Sequence, residues 1–140
     1  MRRTAVTVAI ALLATPAVAR SVTFDCAVNT TDQGWISPRI TVTVDVEANR
    51  AAVQDALTDR YNAGQPVEAR LRTRRNGQVR VSWDLPGLRS NRAVNWSAQI
   101  DPADGSILSW VYWPRVGEGR DAPPKARGRC ETVSAPSLLR

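Results

Sequence analysis

The chain has no histidine among its 140 residues. That excludes a Ser-His-Asp triad, a Cys-His dyad, a histidine-ligated metal and a histidine pH switch. Lysine is almost missing too: Lys125 is the single one, and every other cation is arginine. Neither G-x-S-x-G nor S-x-x-K occurs, so the usual serine nucleophiles lack a setting. No apolar run reaches the length of a bilayer-spanning helix, and no transmembrane segment is expected. The chain shows neither an internal repeat nor a low-complexity tract.

What is present begins at the N-terminus. Arg2 and Arg3 precede an apolar run from Ala5 to Ala14, followed by Pro16 and Ala17-Val18-Ala19. A basic start, a short apolar stretch and an A-x-A site form the layout of a secretory signal peptide. Residues 1–19 therefore read as a signal peptide, with the working chain starting near Arg20 in the periplasm or the medium. Thr23-Phe24-Asp25 before Cys26 is too polar for a lipoprotein cleavage box, and Thr4-Ala5-Val6 lacks the rest of a twin-arginine signal. The remaining length suits one domain, placed at 20–133, with 134–140 as a loose tail. The excess of 19 basic over 13 acidic residues falls to +4 without Arg2 and Arg3, a charge that solubility alone accounts for.

Export places Cys26 and Cys130 in an oxidising compartment, where one intrachain disulfide is expected. Closing so long a loop stabilises by about 4–5 kcal/mol in the chain-entropy model.

Alternation dominates the rest. Val22, Phe24, Cys26 and Val28 alternate with less apolar neighbours, as do Ile40, Val42, Val44 and Val46 with Thr41, Thr43, Asp45 and Glu47; both read as half-buried strands. From Arg50 the spacing of Val53, Ala56, Leu57, Arg60 and Tyr61 predicts an amphipathic helix over 50–62, capped by Asn49 and stopped at Gly64. Strands follow at about 66–74, 78–85, 93–101 and 106–113, separated by Asn76-Gly77, Pro86-Gly87 and Asp101-Pro102-Ala103-Asp104-Gly105. A last strand near 126–133 returns Cys130 toward Cys26.

Burial sets the register of the first of these hairpins. A three-residue loop Arg75-Asn76-Gly77, with Gly77 left-handed, opposes Arg72 to Arg80 and Leu71 to Val81. Ala69, Leu71, Thr73, Val79, Val81 and Trp83 then share one face, and Glu68, Arg70, Arg72, Arg74, Arg80, Ser82 and Asp84 the other. A one-residue slip would bury arginines. The expected fold is mainly β: an antiparallel meander of about seven strands forming a small barrel or sandwich, with one short helix.

Phe24-Asp25-Cys26, Val53-x-Asp55-Ala56-Leu57, Pro66-Val67-x-Ala69, Val81-x-Trp83 and Gly128-Arg129-Cys130 together resemble a group of small, uncharacterised exported proteins of Gram-negative bacteria. The resemblance implies an exported domain with a terminal disulfide and implies no activity.

Candidate chemistry is sparse. Gly117-Glu118-Gly119-Arg120-Asp121-Ala122 matches G-x-G-x-x-A, but Pro123 and Pro124 block the helix that pattern needs. Asp101, Asp104 and Gly105 read as a hairpin turn rather than a calcium loop. Catalytic, metal and cofactor sites are not expected. Two binding surfaces stand out. Arg70, Arg72 and Arg74 project to one side at about 7 Å intervals, with Arg80 opposite Arg72. That spacing suits an anionic component of the cell envelope, and no nucleic-acid partner is expected. Leu108, Trp110 and Tyr112 form an aromatic row opposite the core face of their strand, suited to a ligand or a protein partner. The expected function is non-catalytic binding in the bacterial envelope. The alternative is a hydrolase of envelope glycans using the facing carboxylates Glu68 and Asp84.

Overall fold

A computed structural model describes residues 20–30, 34–86, 88, 94–112 and 124–140. The signal-peptide segment 1–19 lies outside the described residues, as do Trp113 and the glycine-rich stretch 117–122. Eight strands follow one another: β1 (Val22–Asn29), β2 (Arg39–Asp45), β3 (Arg50–Asp55), β4 (Val67–Thr73), β5 (Val79–Trp83), β6 (Asn95–Asp101), β7 (Ser106–Tyr112) and β8 (Lys125–Val133). A short helix α1 (Ala56–Tyr61) separates β3 from β4. Each strand pairs antiparallel with the next, and β8 pairs with β1, so the meander closes into a barrel. The expected β fold with one short helix is the one observed, with the barrel, not the sandwich, realised.

Eight strands leave an interior just wide enough for side chains to fill. Phe24, Val42, Val53, Leu71, Val81, Trp83, Trp96, Ile100, Ile107 and Val111 point inward and are all buried. Apart from Asp55 at the end of β3, the charged residues of the strands lie outside this core. This is the reverse of a membrane barrel, whose outer band is apolar. Among the described residues no helix is long and apolar enough to cross a membrane.

The helix expected over 50–62 is corrected: its first half is strand β3, and α1 begins only at Ala56. Ala51, Ala52 and Val53 are consecutively buried. Ala51 and Val53 face the barrel, while Ala52 lies on the outer side beneath the C-terminal residues. Burial on both faces erases alternation, and the apolar spacing then fits a helix equally well. The cap is Asp55, not Asn49. Its carboxylate accepts the Thr58 amide at 2.7 Å, and the Thr58 hydroxyl accepts the Asp55 amide at 2.8 Å, a capping box. Asn49 instead takes a left-handed φ of 52° in the β2–β3 turn. Leu57 and Tyr61 are partly buried against the core.

The register of the β4–β5 hairpin is the one that burial demanded. Arg72 opposes Arg80, Leu71 opposes Val81, and Gly77 turns at φ 83°. Asp101 and Asp104 serve their own turn: their carboxylates accept the amides of Ala103 and Ser106.

The seam between β1 and β8 carries the disulfide, with Cys26 directly opposite Cys130. On β8 the inward positions are small: Ala126, Gly128 and Cys130. Gly128 opposes Val28, and a Cβ there would stand 1.9 Å from the Ala27 carbonyl oxygen and 2.8 Å from the Val28 Cα. Only glycine allows β8 to lie this close to β1.

Residues 134–140 form no regular element, yet they reach back over the outside of β2–β4. The Leu138 amide donates to the Thr43 hydroxyl at 3.1 Å, Arg50 donates to the Arg140 carbonyl, and the Arg140 side chain donates to Gln65. Thr43 and Ala52 are thereby buried on a face that would otherwise meet water.

Candidate functional site

The outside of the barrel has two unlike halves. On the β1–β3 side, charges are matched and the surface is partly covered. Arg39 donates to both oxygens of Asp25; this hydrogen-bonded guanidinium holds the Asp25 carboxyl below the usual range, against a smaller opposing push from burial. Thr23 and Thr43 share a hydrogen bond of 2.8 Å.

The outside of β4–β8 differs. The registers set Arg72, Arg80, Gln99, Leu108 and Arg127 side by side across five strands. The next row runs Arg70, Ser82, Ser97, Trp110 and Lys125. The arginine row and the aromatic row, separate in the sequence, thus occupy one continuous face. Arg70, Arg72 and Arg74 are exposed at its β4 edge. Lys125 and Arg127 flank Trp110 and Leu108 at its β8 edge.

Arg80 joins the arginine row to the aromatic row. Its guanidinium lies 5.1 Å from the centre of the Trp110 ring, although the two residues stand on β5 and β7. Trp110 reaches across β6 over Ser97, a small residue that is only 5% exposed. Cation–π contact of this kind contributes about 0.5–1 kcal/mol near a surface. Trp110 and Leu108 are half-buried and Tyr112 is exposed. Helix α1 packs on β3 and does not cover this row.

A chain of side-chain hydrogen bonds holds Arg80 from the other side. Arg80 Nη2 donates to Gln99 Oε1 at 3.2 Å, Gln99 Nε2 donates to Gln78 Oε1 at 3.1 Å, and Gln78 Nε2 donates to the Asp101 carboxylate at 3.4 Å. The sequence offered no signal for Gln78, Gln99 and Asp101, because the chain runs between β5 and β6 rather than along a strand. Lys125 and Arg127 were missed for a similar reason. Their place beside the aromatic row depends on the β7–β8 register.

Besides Asp101, two carboxylates border the face on its β4–β5 side. Asp84 accepts from Arg70 at 3.3 Å and from Asn95 at 3.0 Å, and Glu68 accepts from Arg50 at 3.1 Å. Both carboxylates are largely exposed. Each is engaged by its own arginine and is too exposed to gain the burial that lets a general acid retain its proton. Arg72, Arg74, Lys125 and Arg127 have no carboxylate partner among the described residues. Among the described residues no three acidic or cysteine ligands converge on a point that could hold a metal ion.

The chain is thus a disulfide-closed, eight-stranded meander barrel with a basic and aromatic outer face. Comparison with known protein families, with curated proteins and with solved structures finds no match to it.

Proposed function

We propose that the outer face of β4–β8 is the working surface of the protein. It binds an anionic component of the bacterial envelope outside the cytoplasm, without catalysis. One observation carries this reading: the arginine row and the aromatic row merge into a single face through the Arg80–Trp110 contact, and its outlying cations lack carboxylate partners among the described residues. Like charges opposed across a strand pair destabilise the folded state. A chain that keeps Arg72 opposite Arg80 accepts that cost, and a bound anion would offset it. The layout of residues 1–19 and the Cys26–Cys130 bond favour an extracytoplasmic setting.

Retention on a sulfonate resin tests the reading. Changing Arg70, Arg72 and Arg74 to serine is expected to bring elution to clearly lower salt while the melting temperature changes by only a few degrees, since all three are exposed. Equal retention of the variant and the parent would overturn the assignment of this face.

A further inference from the structure

We propose that Arg72 and Arg80 together form a recognition point for a phosphomonoester group carried by the ligand; this rests on the reading of the β4–β8 face as an anion-binding surface. The two residues are direct cross-strand partners, which sets their Cβ atoms about 5 Å apart. Among the described residues no carboxylate neutralises either one. The pair is therefore a site of double positive charge.

The two guanidiniums play different parts. Arg72 is exposed and free to swing. Arg80 is held in place by the Trp110 ring on one side and by the Gln99–Gln78–Asp101 chain on the other. The donation runs one way along that chain. Gln99 spends its amide N–H on Gln78, so its carbonyl oxygen is committed to Arg80. The Arg80 Nε is buried and finds no acceptor among the described residues, so the attraction of the head group for an oxyanion falls on its Nη groups. A guanidinium positioned in advance loses little entropy on binding.

Charge selects the group. A phosphomonoester carries about −1.5 to −2 near neutral pH and three terminal oxygens, enough to accept from both strands and to cancel both charges. A carboxylate or a phosphodiester carries a single charge and leaves half of the repulsion in place. Lys125 and Arg127 stand three strand spacings further round the closed barrel, outside this recognition point. The phosphomonoester could sit on a lipid headgroup or on a sugar.

The test uses the full chain with its disulfide intact. Sedimentation is measured with phosphatidylcholine vesicles containing either phosphatidic acid, a monoester, or phosphatidylglycerol, a diester, matched in surface potential. Phosphatidic acid is expected to bind about tenfold more tightly, the effect of one additional charge-assisted hydrogen bond. Arg80→Lys keeps the charge but loses the fork and the stack; its preference should fall to near unity while binding to phosphatidylglycerol is retained. Gln99→Leu tests the positioning chain and should lower the same ratio, a readout that simple destabilisation does not move. Displacement by glucose 6-phosphate would support recognition of the monoester on any carrier. A preference for phosphatidic acid without such displacement would support recognition at a membrane surface. Equal affinity for the two vesicles, or a preference that survives Arg80→Lys, overturns this inference and leaves the general anion-binding reading standing. Absence of binding to either vesicle overturns both.

Discussion

Gly128→Ala is the sharpest test of how the barrel closes. The added Cβ would lie 1.9 Å from the Ala27 carbonyl oxygen and 2.8 Å from the Val28 Cα, where ordinary contact begins near 3.4 Å. Both obstacles are backbone, so no rotamer change relieves the clash. The two strands must part by about an ångström or more at this point. Overpacking alone costs about 1–3 kcal/mol, and the loss of one or two ladder hydrogen bonds adds about 1 kcal/mol each. The sum of about 2–5 kcal/mol corresponds to a fall in melting temperature of about 8–20 °C for a domain of this size. Circular dichroism of the oxidised protein reads this directly. The cost should shrink in a Cys26→Ser/Cys130→Ser background, where the seam can open to admit the methyl group; a double-mutant cycle measures that coupling. Melting of Gly128→Ala within about 2 °C of the parent would refute the close approach of β8 to β1.

Other expectations follow from the same seam and from the buried carboxylate. Cys26→Ser/Cys130→Ser should lower unfolding stability by about 4–5 kcal/mol, read from urea midpoints, because the bond joins residues 104 apart. Burial raises the Asp55 carboxyl above the ordinary 3.8, opposed by amide donors at the helix start. The native state then holds this proton more tightly than the unfolded chain. The resulting stability is present below the ordinary value and is lost as pH rises through the raised one. Asp55→Asn keeps the cap and should abolish that decline, whereas Asp55→Ala should cost about 1 kcal/mol at every pH. Asp25 has the opposite sign. Its lowered value adds stability above the ordinary range that is lost as pH falls, and Asp25→Asn should remove this loss in urea titrations across the acid range.

The legible parts of the fold were those where one face alone is buried. In β4 and β5 a one-residue slip would have turned the arginines of one strand inward, so burial dictated the register in advance. β3 was illegible because the C-terminal residues cover Ala52 from outside, a contact between positions far apart in the chain. Pairing of Cys26 with Cys130 followed from there being just two cysteines, but their direct opposition on β1 and β8 depends on closure. The candidate site was half visible. Arg70–Arg80 and Leu108–Tyr112 each stood out by alternation. Their union required the order of β5, β6 and β7 and a small residue at Ser97 for Trp110 to cross, and no local pattern encodes either.

Closure has a consequence for how this molecule can meet others. Every described strand already has a neighbour on both sides, so among the described residues no strand edge is left without a partner to template the strand of another chain. The described strands thus offer no edge for β-augmentation, a main-chain route to a partner for sheet proteins. Recognition at the barrel wall is then written in side chains, and a few substitutions on its exterior can redirect what it grips without disturbing how it folds.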